Sequence, residues 1–253
     1  MDKGYVEAHV VSPRECDAAG RMRADAWFTW FQNAALEHLR IMDLERHGAM
    51  PDNIVWVLLD VQASGLSNYV QAGDELRLIT SPTPSMHWLY PRAYEASHAD
   101  GRPVVSATTT WVLMDAVTRR MTRNAEIHTM HNNEARGLTS VRFQPPAILD
   151  APTAIRAFEP SPEDIDLNGH VNNARYIAWL ENTLTDAGYE LLSVGAQYKS
   201  EILPGMALIS EFAADGDRYS YQVFAQAGTE PPPQEERKLC FLAAGACTRR
   251  NVH

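Results

Sequence analysis

In "DIDLNGHVNNARYIAWLEN", residues 164–182, five polar side chains fall within eight residues, just ahead of an apolar, helix-like run. They are Asp166, Asn168, His170, Asn172 and Asn173. Such side chains hydrogen-bond their own backbone, which weakens helices and favours turns and caps. One capping residue starts a helix, and Asn173 is the expected cap. The others call for chemistry. A carboxylate, an amide and an imidazole are groups of general acid–base work. His170 is a candidate base. Asp166 can orient it or activate water itself, and Asn168 offers an amide to a water or a carbonyl.

The elements that must hold these groups occur twice. Residues 12–33, "SPRECDAAGRMRADAWFTWFQN", align without a gap on residues 161–182, "SPEDIDLNGHVNNARYIAWLEN". Ser12/Ser161, Pro13/Pro162, Asp17/Asp166, Gly20/Gly169, Trp30/Trp179 and Asn33/Asn182 are identical. Roughly one or two identities are expected by chance over such a window, so this is a repeat. The scaffold residues recur and the polar cluster does not. Ala19 and Arg21 face Asn168 and His170, and Arg23 and Ala24 face Asn172 and Asn173. A second register aligns "YVQAGDELRL" (69–78) with "EILPGMALIS" (201–210) through Gly73 and Gly205, which sets Tyr69 opposite Glu201. Both contrasts assign chemistry to the second copy. Asp166, shared with Asp17, is as much a turn residue as a reactive one.

Each copy continues as one long helix followed by strand-like runs. In the first, Trp27, Trp30, Phe31, Ala34 and Met42 are helically spaced, with Gly48 as the stop. "IVWVLLDVQA", "DELRLITS", "LYPRAYEASH" and "VVSATTTWVLM" follow. In the second, a helix from about 173 to 186 precedes "LLSVGAQYKS", "MALISEFAA", "RYSYQVFAQA" and "KLCFLAAGACT". A helix wrapped by an antiparallel sheet, twice, is an α+β layer fold. The expected domains are residues 1–125 and 148–253. Residues 126–147, weakly periodic and containing Pro145-Pro146, are the expected linker.

Composition bounds the function. The net charge of −10 disfavours non-specific binding to nucleic acid or an anionic membrane. Three cysteines, an odd number, argue against a disulfide framework and for a reducing compartment. "MDKGYVEAHV" has no apolar signal core, and the longest apolar run, "IVWVLL", is too short to cross a membrane. The expected location is cytoplasmic. His128 and His131 have no further ligands in sequence, so no metal site is inferred.

"DIDLNGHVNNARYIAWLEN" followed by "QYKSEILPG", together with "WVLMDAVTRRMTR" at 111–123, closely resembles the acyl-acyl carrier protein thioesterases of plants and bacteria. The resemblance runs from about Val10 to Ala214. It implies two hot-dog folds in tandem, hydrolysis of fatty acyl thioesters to free fatty acid, and no metal or redox cofactor. The partner it implies is an acyl-loaded carrier protein, with no nucleic acid and no membrane insertion; a homodimer stays open. The family's catalytic residues map by motif onto Asp166, Asn168, His170 and Glu201. Where plant members often carry Cys directly after that Glu, this chain has Ile202.

Thioester hydrolysis needs an activated water or nucleophile, donors for the developing oxyanion and a slot for the chain. Glu201 joins His170 as a candidate base. The N–H groups near Val171 and Asn172, ahead of the helix, are expected to bind the oxyanion. Tyr176 and Trp179 read as packing residues. Trp30, Phe31, Trp56 and Leu58 of the first copy are expected to line the acyl pocket. Arg175 and Lys199, with Arg21 and Arg23, are expected at the mouth facing the carrier. Arg119, Arg120 and Arg123 read as a solvated strand end. Competing readings are an acyl-CoA thioesterase using the same site, a hydratase on the same fold, and a non-enzymatic acyl-binding module. Hydratases of the superfamily carry Asp-x-Asn-Pro-x-His, one residue longer than "DLNGH" here.

Overall fold

The computed structural model describes residues 4–45, 51–135, 137–145, 147–226 and 237–250. Gly48 and Pro146 lie outside the described residues. The chain forms two compact units, Met1–Phe143 and Gln144–His253.

The first unit runs β1 (Tyr5–Val10), a 3-10 turn (Pro13–Glu15), α1 (Ala24–Glu45), β2 (Ile54–Ser64), β3 (Glu75–Pro82), β4 (Tyr90–His98), β5 (Pro103–Asp115), β6 (Met121–Thr122) and α2 (Ala125–Asn133). Its antiparallel sheet has the order β1-β3-β4-β5-β2, with β6 added to β5. The second unit runs β7 (Ala154–Phe158), a 3-10 turn (Pro162–Asp164), α3 (Asn173–Asp186), β8 (Tyr189–Leu191), β9 (Ser193–Tyr198), β10 (Leu208–Asp215), β11 (Arg218–Ala225) and β12 (Lys238–Arg249). Its order is β7-β10-β11-β12-β9, with β8 on β12. Apart from the short β6 and β8, this is strand for strand the topology of the first unit. The sequence repeat is therefore a structural repeat, and each half is a hot-dog fold.

Each long helix buries an aromatic stripe. On α1, Trp27, Phe31, Ala34 and Met42 are nearly inaccessible, and Phe31 packs 4.9 Å from Tyr94 of β4. On α3, Tyr176 packs 5.1 Å from Phe241 of β12, and Trp179 packs 5.0 Å from Phe158 of β7. Among the described residues no helix is long and apolar enough to cross a membrane.

The expected linker is in part structured. Asn124 caps α2 by accepting the Ile127 N–H at 2.9 Å, and Ile127, Met130 and His131 are buried. Ile127 and Met130 pack with Met42, Tyr90 and Leu113. The helix thus completes the first unit's core. Strand β1 was not expected because its alternation is inverted. Val6 and Val10 face outward, while Tyr5 and His9 stack on His38 and Trp30 of α1.

The start of α3 is held by Asp164. Its carboxylate accepts the Ser161 N–H at 2.8 Å, the Ser161 hydroxyl at 2.9 Å and Arg175 Nε at 2.6 Å. Its carbonyl accepts the Asn172 N–H at 2.9 Å. Burial alone would raise the Asp164 pKa, but Arg175 and Ser161 outweigh it and hold the carboxyl below its usual range. A carboxyl of that kind stabilises the fold above its unfolded pKa of about 4 and stops doing so as pH falls through the folded value. Asp164→Asn is expected to cost about 1–3 kcal/mol near neutrality, because it removes charge-assisted bonds to a partly buried Arg175. In urea unfolding, the gap to wild type should close below about pH 4; a gap that persists in acid would remove the ion pair as its cause.

Candidate active site

The polar motif is a turn before it is anything else. Gly169 N–H donates to Asp166 C=O at 3.0 Å, and Asp166 N–H donates to His170 C=O at 3.0 Å. Gly169 has φ +81°, a left-handed value open to glycine without strain. Asp166 Oδ1 accepts the Asn168 N–H at 2.8 Å. The same turn stands in the first unit: Gly20 has φ +78°, and Asp17 Oδ1 accepts the Ala19 and Arg21 N–H groups, each at 2.9 Å. The recurring Asp and Gly are there to make the turn.

A backbone strap then ties the turn to the loop that follows β9. Val171 N–H donates to Ile202 C=O at 2.9 Å. In the first unit Met22 N–H donates to Val70 C=O at 2.8 Å. Both alignments of the repeat predict this pairing, since Met22 faces Val171 and Val70 faces Ile202. The strap sets Glu201 beside the motif, where the first unit has Tyr69. Glu201 is exposed, as are Asn168 and Lys199, and His170 is half-buried. His170 Nδ1 lies 4.0 Å from Asp166 Oδ1, the spacing of a loose ion pair. The structure thus sets Asp166, Asn168 and His170 on one turn, with Glu201 next to the Ile202 carbonyl that the strap joins to it.

It adds Tyr176, which the sequence marked as packing. The ring does pack, on Trp179, Tyr198 and Phe241. Its hydroxyl, however, is near Cys240, the Ile202 backbone, Glu201 and Asp166. Burial first, then Cys240, Glu201 and Asp166, push its pKa well up against the opposing Ile202 backbone contact, so it is a protonated donor at neutral pH. Helical spacing marked only the ring; the register that places Glu201 was the available signal for the hydroxyl.

Several expected roles are corrected. The N–H groups of Val171 and Asn172 are spent on Ile202 and Asp164, so neither can bind an oxyanion. Asn172, not Asn173, caps α3, its Oδ1 accepting the Ala174 N–H at 2.9 Å. The Asn173 N–H has no partner among the described residues and is the donor left at that helix end. Arg175 is held by the buried Asp164 and is no carrier contact in waiting. Arg21 and Arg23 likewise pair with Asp17 and Asp25. Lys199 remains as an exposed cation near Glu201.

The first unit holds an apolar cavity of about 50 Å³ between α1, the sheet and α2. Trp56 lines it, with Leu36, Leu39, Met42, Trp111 and Met130. Trp30, Phe31 and Leu58 do not; they are buried elsewhere in the core. The sequence missed Met130 because α2 was read as linker. All three cysteines are unpaired, and burial raises the pKa of each thiol. That leaves little thiolate for attack.

The model of the acyl-ACP thioesterase N-terminal domain matches residues 2–129, and that of the C-terminal domain matches residues 150–230. A chloroplastic acyl-[acyl-carrier-protein] hydrolase of Cuphea viscosissima is 26% identical over 217 residues, covering 76% of this chain and 51% of the relative. A chloroplastic palmitoyl-acyl carrier protein thioesterase of Gossypium hirsutum is 30% identical over 164 residues, covering 59% of this chain and 39% of the relative. The chain thus spans about half or less of the length of these curated relatives. The fold matches a putative oleoyl thioesterase from Lactobacillus plantarum with a TM-score of 0.79 at 19% identity, covering 98% of this chain and 97% of that one. It also matches a 12:0-ACP thioesterase from Umbellularia californica with a TM-score of 0.79 at 18% identity, covering 97% of each chain. Two matching domain models in tandem, over two hot-dog units of which one carries the polar set, place the chain in the acyl-ACP thioesterase family.

Proposed function

We propose that the chain hydrolyses fatty acyl thioesters of acyl carrier protein, with its chemistry in the second unit. One observation carries this reading. The same turn and strap occur in both units, yet Asn168, His170 and Glu201 stand in the second where Ala19, Arg21 and Tyr69 stand in the first. The frame needs none of these polar side chains, so their presence is for reaction.

In this reading Glu201 takes a proton from water, which adds to the thioester carbonyl. The oxyanion that forms is met by the Asn173 N–H at the α3 N-terminus, where the helix dipole favours negative charge. The Tyr176 hydroxyl and the Asn168 amide are the neighbouring donors that orient the water. His170, with Asp166 beside it, gives a proton to the departing thiolate, the carboxylic acid and the thiol leave, and exchange through solvent returns the proton held by Glu201 to His170. The acyl tail is held in the first unit's cavity. Lys199 meets an acidic carrier, and a single exposed cation is worth at most about 1 kcal/mol. Unpaired thiols fit a reducing, cytoplasmic setting.

His170→Ala is expected to lower turnover by about 10²- to 10⁴-fold, and Glu201→Gln to do the same with little change in acyl-ligand affinity. Turnover and affinity measured on one preparation test both. Near-wild-type hydrolysis by either folded variant would reject its assigned role. A run in parallel on acyl carrier protein and CoA thioesters tests the carrier: a preference for CoA would transfer the reading to an acyl-CoA thioesterase.

Cys240 is the thiol nearest the site, acting on Tyr176 from full burial. Cys240→Ala is expected to keep most activity. Loss of hydrolysis in a folded Cys240→Ala protein would install a thiol mechanism in place of water activation. Enlarging the cavity by Trp56→Ala should shift the chain-length optimum upward, since each buried methylene is worth about 0.8 kcal/mol; an unmoved profile would put the tail elsewhere.

A further inference from the structure

The first unit's cavity is not wholly apolar. Arg92 of β4 lines it and is 7% exposed. Its guanidinium reaches His38 Nδ1 at 3.1 Å and Thr80 Oγ1 at 3.2 Å, both through Nη1. To accept from Arg92, His38 Nδ1 must be unprotonated. Burial first, then the Arg92 charge, lowers the His38 pKa to about 3, so the ring is neutral. Arg92 therefore faces two neutral acceptors, and no carboxylate pairs with it among the described residues. The second unit shows the usual solution. There the partly buried Arg237 meets the buried Glu211, Nη1 to Oε1, at 2.9 Å. A buried cation without a counter-ion is costly unless something else supplies the charge.

Two more groups lining the same cavity lack partners. The Tyr90 hydroxyl and the Trp56 Nε1–H are both buried and make no hydrogen bond among the described residues. Their rings meet edge-on at 5.1 Å. His131 also lines the cavity, but its Nε2 is spent on the Thr83 carbonyl at 2.8 Å. Unsatisfied buried donors are rare in folded proteins and point to an absent acceptor. Leu36, 53% exposed, marks the side open to solvent; Leu39, Met42 and Met130 supply apolar wall.

We propose that this cavity recognises a carboxylate carried on an aliphatic chain, with the anion at Arg92, the Tyr90 hydroxyl and the Trp56 N–H and the chain along Leu39, Met42 and Met130. It deepens the thioesterase reading and rests on it for the source of the carboxylate. That source is either the far end of an ω-carboxylated acyl chain or the free fatty acid bound as an inhibitor.

The binding experiment needs no turnover. Titrate the full chain calorimetrically with decanoate and with decanol at neutral pH. Decanoate should bind at least about tenfold more tightly, the scale of a charge-assisted hydrogen bond in a desolvated site. Arg92→Met should abolish that preference and Tyr90→Phe reduce it several-fold. Equal or weaker binding of decanoate by the wild type would overturn the proposal. Should Arg92→Met fail to fold, Tyr90→Phe decides, and an unchanged preference overturns it. For the source, compare decanoyl and ω-carboxydecanoyl thioesters. Favoured hydrolysis of the ω-carboxylated one, lost in Arg92→Met, assigns the chain end; competitive inhibition by decanoate, relieved in Arg92→Met, assigns the product. If the chain hydrolyses thioesters and neither their preference nor their inhibition responds to Arg92→Met, the proposal fails. A chain that binds decanoate but hydrolyses nothing would sink the thioesterase reading and leave this one standing.

Discussion

A single backbone hydrogen bond, from Val171 N–H to Ile202 C=O, holds the candidate site of the second unit in place. It joins two stretches that are about thirty residues apart in the chain, and loop closure over such a distance needs a fixed anchor to be specific. Because both partners are main-chain groups, the bond does not depend on side-chain identity. The residues that flank it, His170 on one side and Glu201 on the other, can therefore differ between the units without altering the bond. The twin bond from Met22 to Val70 does the same in the first unit, with Arg21 and Tyr69 at its flanks.

Around this anchor the two ends of the motif loop are treated differently. The end that starts α3 is rigid: Asp164 is buried and bonded by Ser161, Arg175 and, through its carbonyl, Asn172. The polar end is open, with Asn168 and Glu201 exposed and His170 separated from Asp166 by 4.0 Å. Catalytic contacts commonly tighten only when substrate excludes water. A stiff base under an open set of side chains suits that closure, since the turn keeps its position while the side chains rotate.

Sequence alone carried the fold a long way, because internal duplication turned one chain into two aligned copies. The paired glycines set both registers, and the strap fell where the registers predicted. Pattern failed where local signals were short or inverted. Strand β1 presents Val6 and Val10 to solvent, so alternation pointed the wrong way. Helix α2 has few apolar positions and sits in a stretch that ends in Pro145-Pro146. Arg175 looked like a surface charge because its partner, Asp164, is hidden by a 3-10 turn that no periodicity reveals. The capping residue moved by one, from Asn173 to Asn172, within the usual blur of helix ends. Tyr176 shows the deeper limit: a residue can serve the core with its ring and the site with its hydroxyl, and spacing reports the ring alone.

A frame assembled from peptide groups also has an evolutionary consequence. Substitutions at Ala19, Arg21 or Tyr69 leave its hydrogen bonds in place, so one copy could drift neutrally while selection kept the other. A frame of this kind lets one half of the chain change its side chains without loosening its architecture, and polar residues introduced at positions 19, 21 and 69 would meet a backbone already shaped to receive them.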